Sequence, residues 1–140
     1  MAMIIHLDIV SAEKAIWSGA ATMVFAPGEM GELGIAPRHT PLLTRLKAGE
    51  VRVRNQNGED ESFFISGGIL EVQPHVVTVL ADTAIRADDL DEAAAIDAKQ
   101  RAAEAIAHQV SDMEFAVAKA ELAEAAAMVE TIKKIRSRKS

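Results

Sequence analysis

Every glycine and every proline in this chain lies before residue 75. The eight glycines end at Gly68 and the four prolines at Pro74. Alanine then takes over, filling 15 of the 35 positions from 93 to 127. Glycine and proline punctuate turns and weaken helix interiors, whereas alanine is the best helix former. One regular architecture cannot satisfy both compositions. The 140 residues therefore divide near 85–88 into a turn-rich half and a helical half.

The first half reads as short strands between turns. Val51-Arg52-Val53-Arg54 alternates strictly, as a half-buried strand does. Asn55-Gln56-Asn57-Gly58 follows, and Asn-Gly is a strong hairpin signal because both residues tolerate positive φ. Phe63-Phe64-Ile65 supplies the returning strand, and residues 3–10, 22–26, 69–72 and 76–81 add further β-rich segments. Turn signals about every ten residues predict an antiparallel sandwich. Parallel βαβ units need intervening helices, and none fits here.

The second half reads as two helices forming an antiparallel hairpin. Asp88 or Asp89 can cap the first, with Asp91 and Glu92 complementing the dipole in its opening turn. It runs to about His108; Gln109-Val110-Ser111-Asp112 reads as a short turn, with Ser111 or Asp112 capping the second helix. Phe115, Leu122 and Val129 recur at seven, each followed three residues later by Ala118, Ala125 and Ile132. That narrow seam suits one partner helix. Large apolar side chains are few in this half, so the hairpin is expected to dock weakly and to rearrange.

Several chemistries are excluded. There is no cysteine, hence no disulfide, thiolate metal site or cysteine nucleophile. The four histidines (His6, His39, His75, His108) share no metal-ligand spacing, and no Gly-rich loop ends in the Lys-Ser/Thr of a phosphate cradle. No catalytic residue and no metal site is expected. Aromatics at 4% and a net charge of −6 argue against a nucleic-acid partner. No apolar run reaches the ~20 residues that span a bilayer, so direct membrane insertion is not expected.

Three segments stand out. Residues 31–43 contain Glu32 and His39; by themselves they read as tight turns leading into strands, with both side chains solvated. Ser66-Gly67-Gly68-Ile69-Leu70-Glu71-Val72 reads as a structural turn between strands. Residues 133–139 hold Lys133, Lys134, Arg136, Arg138 and Lys139 with no acid, leaving ten basic residues against 21 acidic ones in the rest of the chain. This tail either complements the helix dipole or anchors an acidic partner surface, and RNA or anionic lipid are weaker alternatives.

In this order, the segments resemble the epsilon subunit of bacterial F-type ATP synthases. The likeness rests on Ile5-His6-Leu7-Asp8-Ile9-Val10-Ser11-Ala12-Glu13, on residues 31–35 with His39, Pro41, Leu42 and Leu43, on residues 66–72, and on residues 78–86. The helical half is similar more loosely, through Leu90-Asp91-Glu92-Ala93, alanine content and length.

The resemblance implies a β-sandwich of about ten strands over 1–86 that contacts the gamma subunit and the c-ring. Residues 87–140 would form a mobile regulatory hairpin that reaches the alpha/beta catalytic head and inhibits ATP hydrolysis. It implies a non-catalytic rotor part, peripheral, at the cytoplasmic face of a bacterial inner membrane; the lack of a transit peptide agrees with a bacterial source. By carry-over, Glu32 and His39 lie in the loop that faces the c-ring, with Glu29 nearby, and all three are expected to contact the ring. Some family members bind ATP through Ile/Leu-Asp-x-x-Arg-Ala. Here Leu90 and Asp91 are followed by Ala94 where the arginine would stand, so no cofactor is expected. The alternative reading, an ATP-sensing regulatory module, lacks that cation.

Overall fold

A computed structural model describes residues 3–108 and 112–139. The chain divides between Ala87 and Asp88 into two units.

The first unit holds ten strands: β1 (Ile5–Ser11), β2 (Ala15–Ala21), β3 (Met23–Gly28), β4 (Gly31–Ile35), β5 (Leu42–Leu46), β6 (Gly49–Arg54), β7 (Asp60–Ile65), β8 (Gly68–Val72), β9 (Val76–Ala81) and β10 (Ala84–Arg86). They follow the order β10-β7-β6-β3-β5-β8-β9-β1-β2, with β4 attached to β3. Alternation decides which side chains go inside. Ile5, Leu7 and Ile9 of β1 are buried, as are Val51 and Val53 of β6, Leu70 and Val72 of β8, and Val77 and Val79 of β9. Together with Phe63 and Ile65 they form one core.

The two ends of this strand order meet. Trp17 of β2 sits edge-on to Phe63 of β7, with centroids 6.2 Å apart. Arg86 of β10 donates from Nη2 to the Ile16 carbonyl at 3.1 Å, and its guanidinium lies 5.8 Å from the Phe63 ring centre. The last strand is thus tied to the second, and the β layer closes before the helices begin.

Three features differ from the sequence reading. β1 pairs with β9 in parallel, His6 opposite Val76 through Ser11 opposite Ala81. The crossover that parallel pairing requires is supplied by the intervening strands themselves, so no helix is needed. β4 is a strand where tight turns were expected: hydrogen bonds to β3 hold Gly31-Glu32-Leu33-Gly34-Ile35 extended despite two glycines. In the β6–β7 hairpin only Gly58 of the Asn-Gly pair takes positive φ, at 81°. Asn55 closes the turn instead, its Oδ1 accepting from the amides of Asn57 and Glu59.

A 3-10 turn (Ala87–Asp89) spans the division, and the second unit contains α1 (Glu92–Ala107) and α2 (Asp112–Lys139). Asp91, not Asp88 or Asp89, caps α1: it is extended (φ −110°, ψ 108°), and its Oδ1 accepts from the Ala94 amide at 3.1 Å. Asp88 and Asp89 are used up in the preceding turn. The turn expected at 109–111, with Ser111 as a cap, lies outside the described residues, and Asp112 is the first residue of α2.

The seam is built largely from alanine. Ala95 and Ala102 of α1 and Ala118, Ala125 and Val129 of α2 are buried. Leu122 and Ile132 are half-buried, but Phe115 remains 37% exposed. Thr131 is buried as well, its hydroxyl donating to the Ala127 carbonyl one turn back at 2.8 Å. That internal bond lets a polar residue sit on an apolar seam.

Candidate functional site

The tip of the β3–β4 hairpin is a two-residue turn, Glu29-Met30, between the paired Gly28 and Gly31. Gly31 takes φ 133°, which favours glycine. The Glu29 amide donates to the Arg45 carbonyl at 3.2 Å, and the Lys47 amide to the Pro27 carbonyl at 2.9 Å, so β5 holds the tip in place. Met30 is fully exposed, and Glu32, opposite Pro27, points into solvent. Beside the tip opens a pocket of about 420 Å³ lined by Glu29, Arg45, Lys47, Ser66, Gly67 and Asp82. Its charges come in both signs, which suits a polar protein loop better than a simple anion.

His39 lies elsewhere. Its loop follows β4 and is held by the Arg38 amide donating to the Pro74 carbonyl at 3.0 Å, with Arg38 at φ 63°. The His39 Nδ1–H donates to the Thr40 carbonyl at 2.7 Å. Glu29 is bonded beside Leu46, whereas Leu42 pairs with Val72 next to Pro74. Glu29 and His39 therefore sit at opposite ends of β5, and Glu32 stands on a strand. Glu32 and His39 do not share one loop, contrary to what the resemblance implied.

The outward face of β5, β8 and β9 carries a second feature. Leu43 is 69% exposed, Leu80 46%, Ile69 42% and Val76 39%. Ile69 and Leu80 are cross-strand partners, and Leu43 is paired with Glu71. Apolar residues on the solvent side of a sheet whose inner face already has its core mark a docking surface.

On β1 and β2 this face turns polar. Asp8 Oδ1 accepts from the Ser18 hydroxyl at 2.7 Å and meets His6 Nε2 at 3.0 Å, while Ser18 Oγ is 3.1 Å from His6 Nε2. The residue types are those of a hydrolase, but the arrangement is not. The hydroxyl hydrogen goes to the carboxylate, so the imidazole has no nucleophile to activate. Among the described residues, no group of three or more His, Asp or Glu is placed to hold a metal, and no helix is long and apolar enough to cross a membrane.

In the helical unit, Asp91 spends its carboxylate on the α1 cap, Leu90 is half-buried beside it, and Ala94 is exposed without charge. Lys133, Lys134, Arg136 and Arg138 are exposed on the last turns of α2; the side chain of Lys139 lies outside the described residues. Arg136 turns back to α1, where its Nη2 forms an ion pair with Glu92. The tail thus meets an acid of its own chain, which its composition does not reveal. Only the pairing of the two helices brings residue 136 to residue 92.

Residues 4–87 match the model of the family described as ATP synthase, Delta/Epsilon chain, beta-sandwich domain. An ATP synthase epsilon chain of Nitrosococcus oceani is 61% identical over 138 residues, covering 99% of each chain. The ATP synthase epsilon chains of Thioalkalivibrio sulfidiphilus and Alkalilimnicola ehrlichii are 60% and 58% identical, covering 97% and 96% of both partners. Among solved structures, the chain is similar to one from the Euglena gracilis mitochondrial ATP synthase OSCP/F1/c-ring assembly. The TM-score is 0.77 at 18% identity, over 100% of this chain and 83% of that one. A chain of the Tetrahymena thermophila mitochondrial ATP synthase central stalk/c-ring gives 0.63 at 15% identity, over 96% of both. At such identities the likeness is one of fold.

Proposed function

The chain belongs to the ATP synthase epsilon chain family, and from that membership we propose that it joins the gamma subunit to the c-ring and restrains ATP hydrolysis through its helices. It is a non-catalytic subunit of an F-type ATP synthase and a peripheral component of a membrane complex. We place it on the cytoplasmic face of a bacterial inner membrane.

The observation that carries the coupling role is the apolar patch of Leu43, Ile69 and Leu80 on the outside of a closed β unit. Nothing in the unit's own core requires these residues there, and a protein partner does. We assign this patch to gamma. Glu29 and Glu32, at the β3–β4 tip beside the pocket of mixed charge, are assigned to the c-ring. Including His39 in the ring contact requires a footprint running the length of β5. The regulatory role goes to residues 87–140, whose alanine seam buries little area and can trade one partner for another at modest cost. Lys133, Lys134, Arg136, Arg138 and Lys139 would then meet acidic surfaces of the alpha/beta head.

Two truncations test the division. A chain ending at Ala87 should still bind gamma and support proton pumping, while ATP hydrolysis by the head complex rises above the rate seen with the full chain. Loss of gamma binding by this fragment would overturn the coupling role. Unchanged hydrolysis would overturn the inhibitory one. A chain ending at Ile132 should also raise hydrolysis, most at low salt, where exposed charges are least screened.

A further inference from the structure

Both acids at the start of α1 are already engaged. Asp91 caps the helix through the Ala94 amide, and Glu92 is paired with Arg136 from the last turns of α2. Each member of the pair also sits at the favourable end of its own helix, the carboxylate in a first turn and the guanidinium in a last one. The pair lies at the free ends of the hairpin, remote from the connection between the helices, where separation would begin. Along the seam the buried groups are mostly alanines, so apolar contact does comparatively little to hold that end shut.

We propose that Arg136 and Glu92 form a salt-sensitive clasp that keeps the free ends of the hairpin closed. Ionic strength and competing carboxylates then set how readily the hairpin opens, in place of a bound nucleotide. The clasp separates Arg136 from its basic neighbours. Lys133 and Lys134 project from the same stretch of α2 and are available to a partner in either state. Arg136 must leave Glu92 before it can serve one. An acidic partner surface that captures Arg136 therefore opens the clasp in the same event, one carboxylate replacing another. This last step rests on the inhibitory role proposed above; the clasp itself does not.

Amide hydrogen exchange in the isolated full-length chain tests the clasp directly. At low salt, Arg136→Ala should speed exchange in the first turns of α1 and the last turns of α2 by about two- to fivefold, the range expected for a partly exposed ion pair. Glu92→Gln should do the same, and the double variant should add nothing further. Lys133→Ala, which leaves the pair intact, should leave exchange unchanged. Raising NaCl should bring the wild-type chain toward the variants, and added ATP should slow none of them. Additive single effects, or wild-type exchange in Arg136→Ala, would overturn the clasp. Hydrolysis by reconstituted head complexes then reads the regulatory step: Glu92→Gln, which opens the clasp and keeps the Arg136 cation, should lower the low-salt rate. Altered exchange with an unaltered rate would leave the clasp standing and remove the inhibitory role.

Discussion

Gly68 shows how closely single positions are specified. A Cβ built there would drive into the Leu80 carbonyl oxygen and stand 2.9 Å from the Ala81 Cα, and both are backbone atoms of the neighbouring strand. Gly68→Ala should therefore cost about 2–4 kcal/mol through strain and overpacking. Urea unfolding of the full chain would measure it. Glu32 stands at the other extreme, exposed on β4. Glu32→Lys should shift the thermal midpoint by no more than about 3 °C, because surface substitutions typically stay within ~0.5 kcal/mol. It should reduce ATP-driven proton pumping in reconstituted vesicles. A large fall in the midpoint would make Glu32 a structural residue. The sequence marked both positions, Gly68 as structural and Glu32 as a candidate contact. It did not show that Glu32 stands on a strand while His39 lies in the loop beyond it, because two glycines in five residues conceal β4. The Arg136–Glu92 pair was equally hidden, since nothing local to either residue points to the other.

Among the elements, strict alternation was the signal that could be read. β6 and β9 follow from their branched residues, whereas β2, with Gly19 and three alanines, has little β propensity and exists through its neighbours. The parallel β1–β9 pair has no sequence signature at all, since strand direction depends on what the chain does between the strands. For the helices, the seven-residue repeat in α2 located the seam, while Phe115 proved too near the start of the helix to be covered. The seam also makes a prediction. Ala118 is buried where the two helices approach closely, so Ala118→Leu should push them apart and lower the stability of the helical unit by about 1–3 kcal/mol. Helix-specific hydrogen exchange should show this loss while the β unit keeps its protection. Equal stability would mean that the helices can shift to admit the larger side chain.

For the molecule as a whole, the division after Ala87 separates a unit stabilised by a large core from one stabilised by small contacts. Binding by the second unit should reflect that. Without a cation at position 94, and with the Asp91 carboxylate committed to the cap, the chain should bind ATP only feebly. Calorimetry should detect no micromolar affinity. Ala94→Arg should tighten binding by roughly ten- to a hundredfold, the equivalent of a charged hydrogen bond worth ~1.5–3 kcal/mol.

The parallel pairing of β1 with β9 has a consequence for how the chain is made. The β2 partner of β1 is synthesised immediately after it, but the other edge of β1 has no partner until residues 76–81 have been made. Throughout that interval the nascent chain carries an open edge next to Ile5, Leu7 and Ile9, the side chains most in need of burial. Because the pairing is so distant along the chain, closure should set the folding rate. Ribosome-bound chains should become resistant to protease only after residue 86 has cleared the exit tunnel, when Arg86 can reach Ile16.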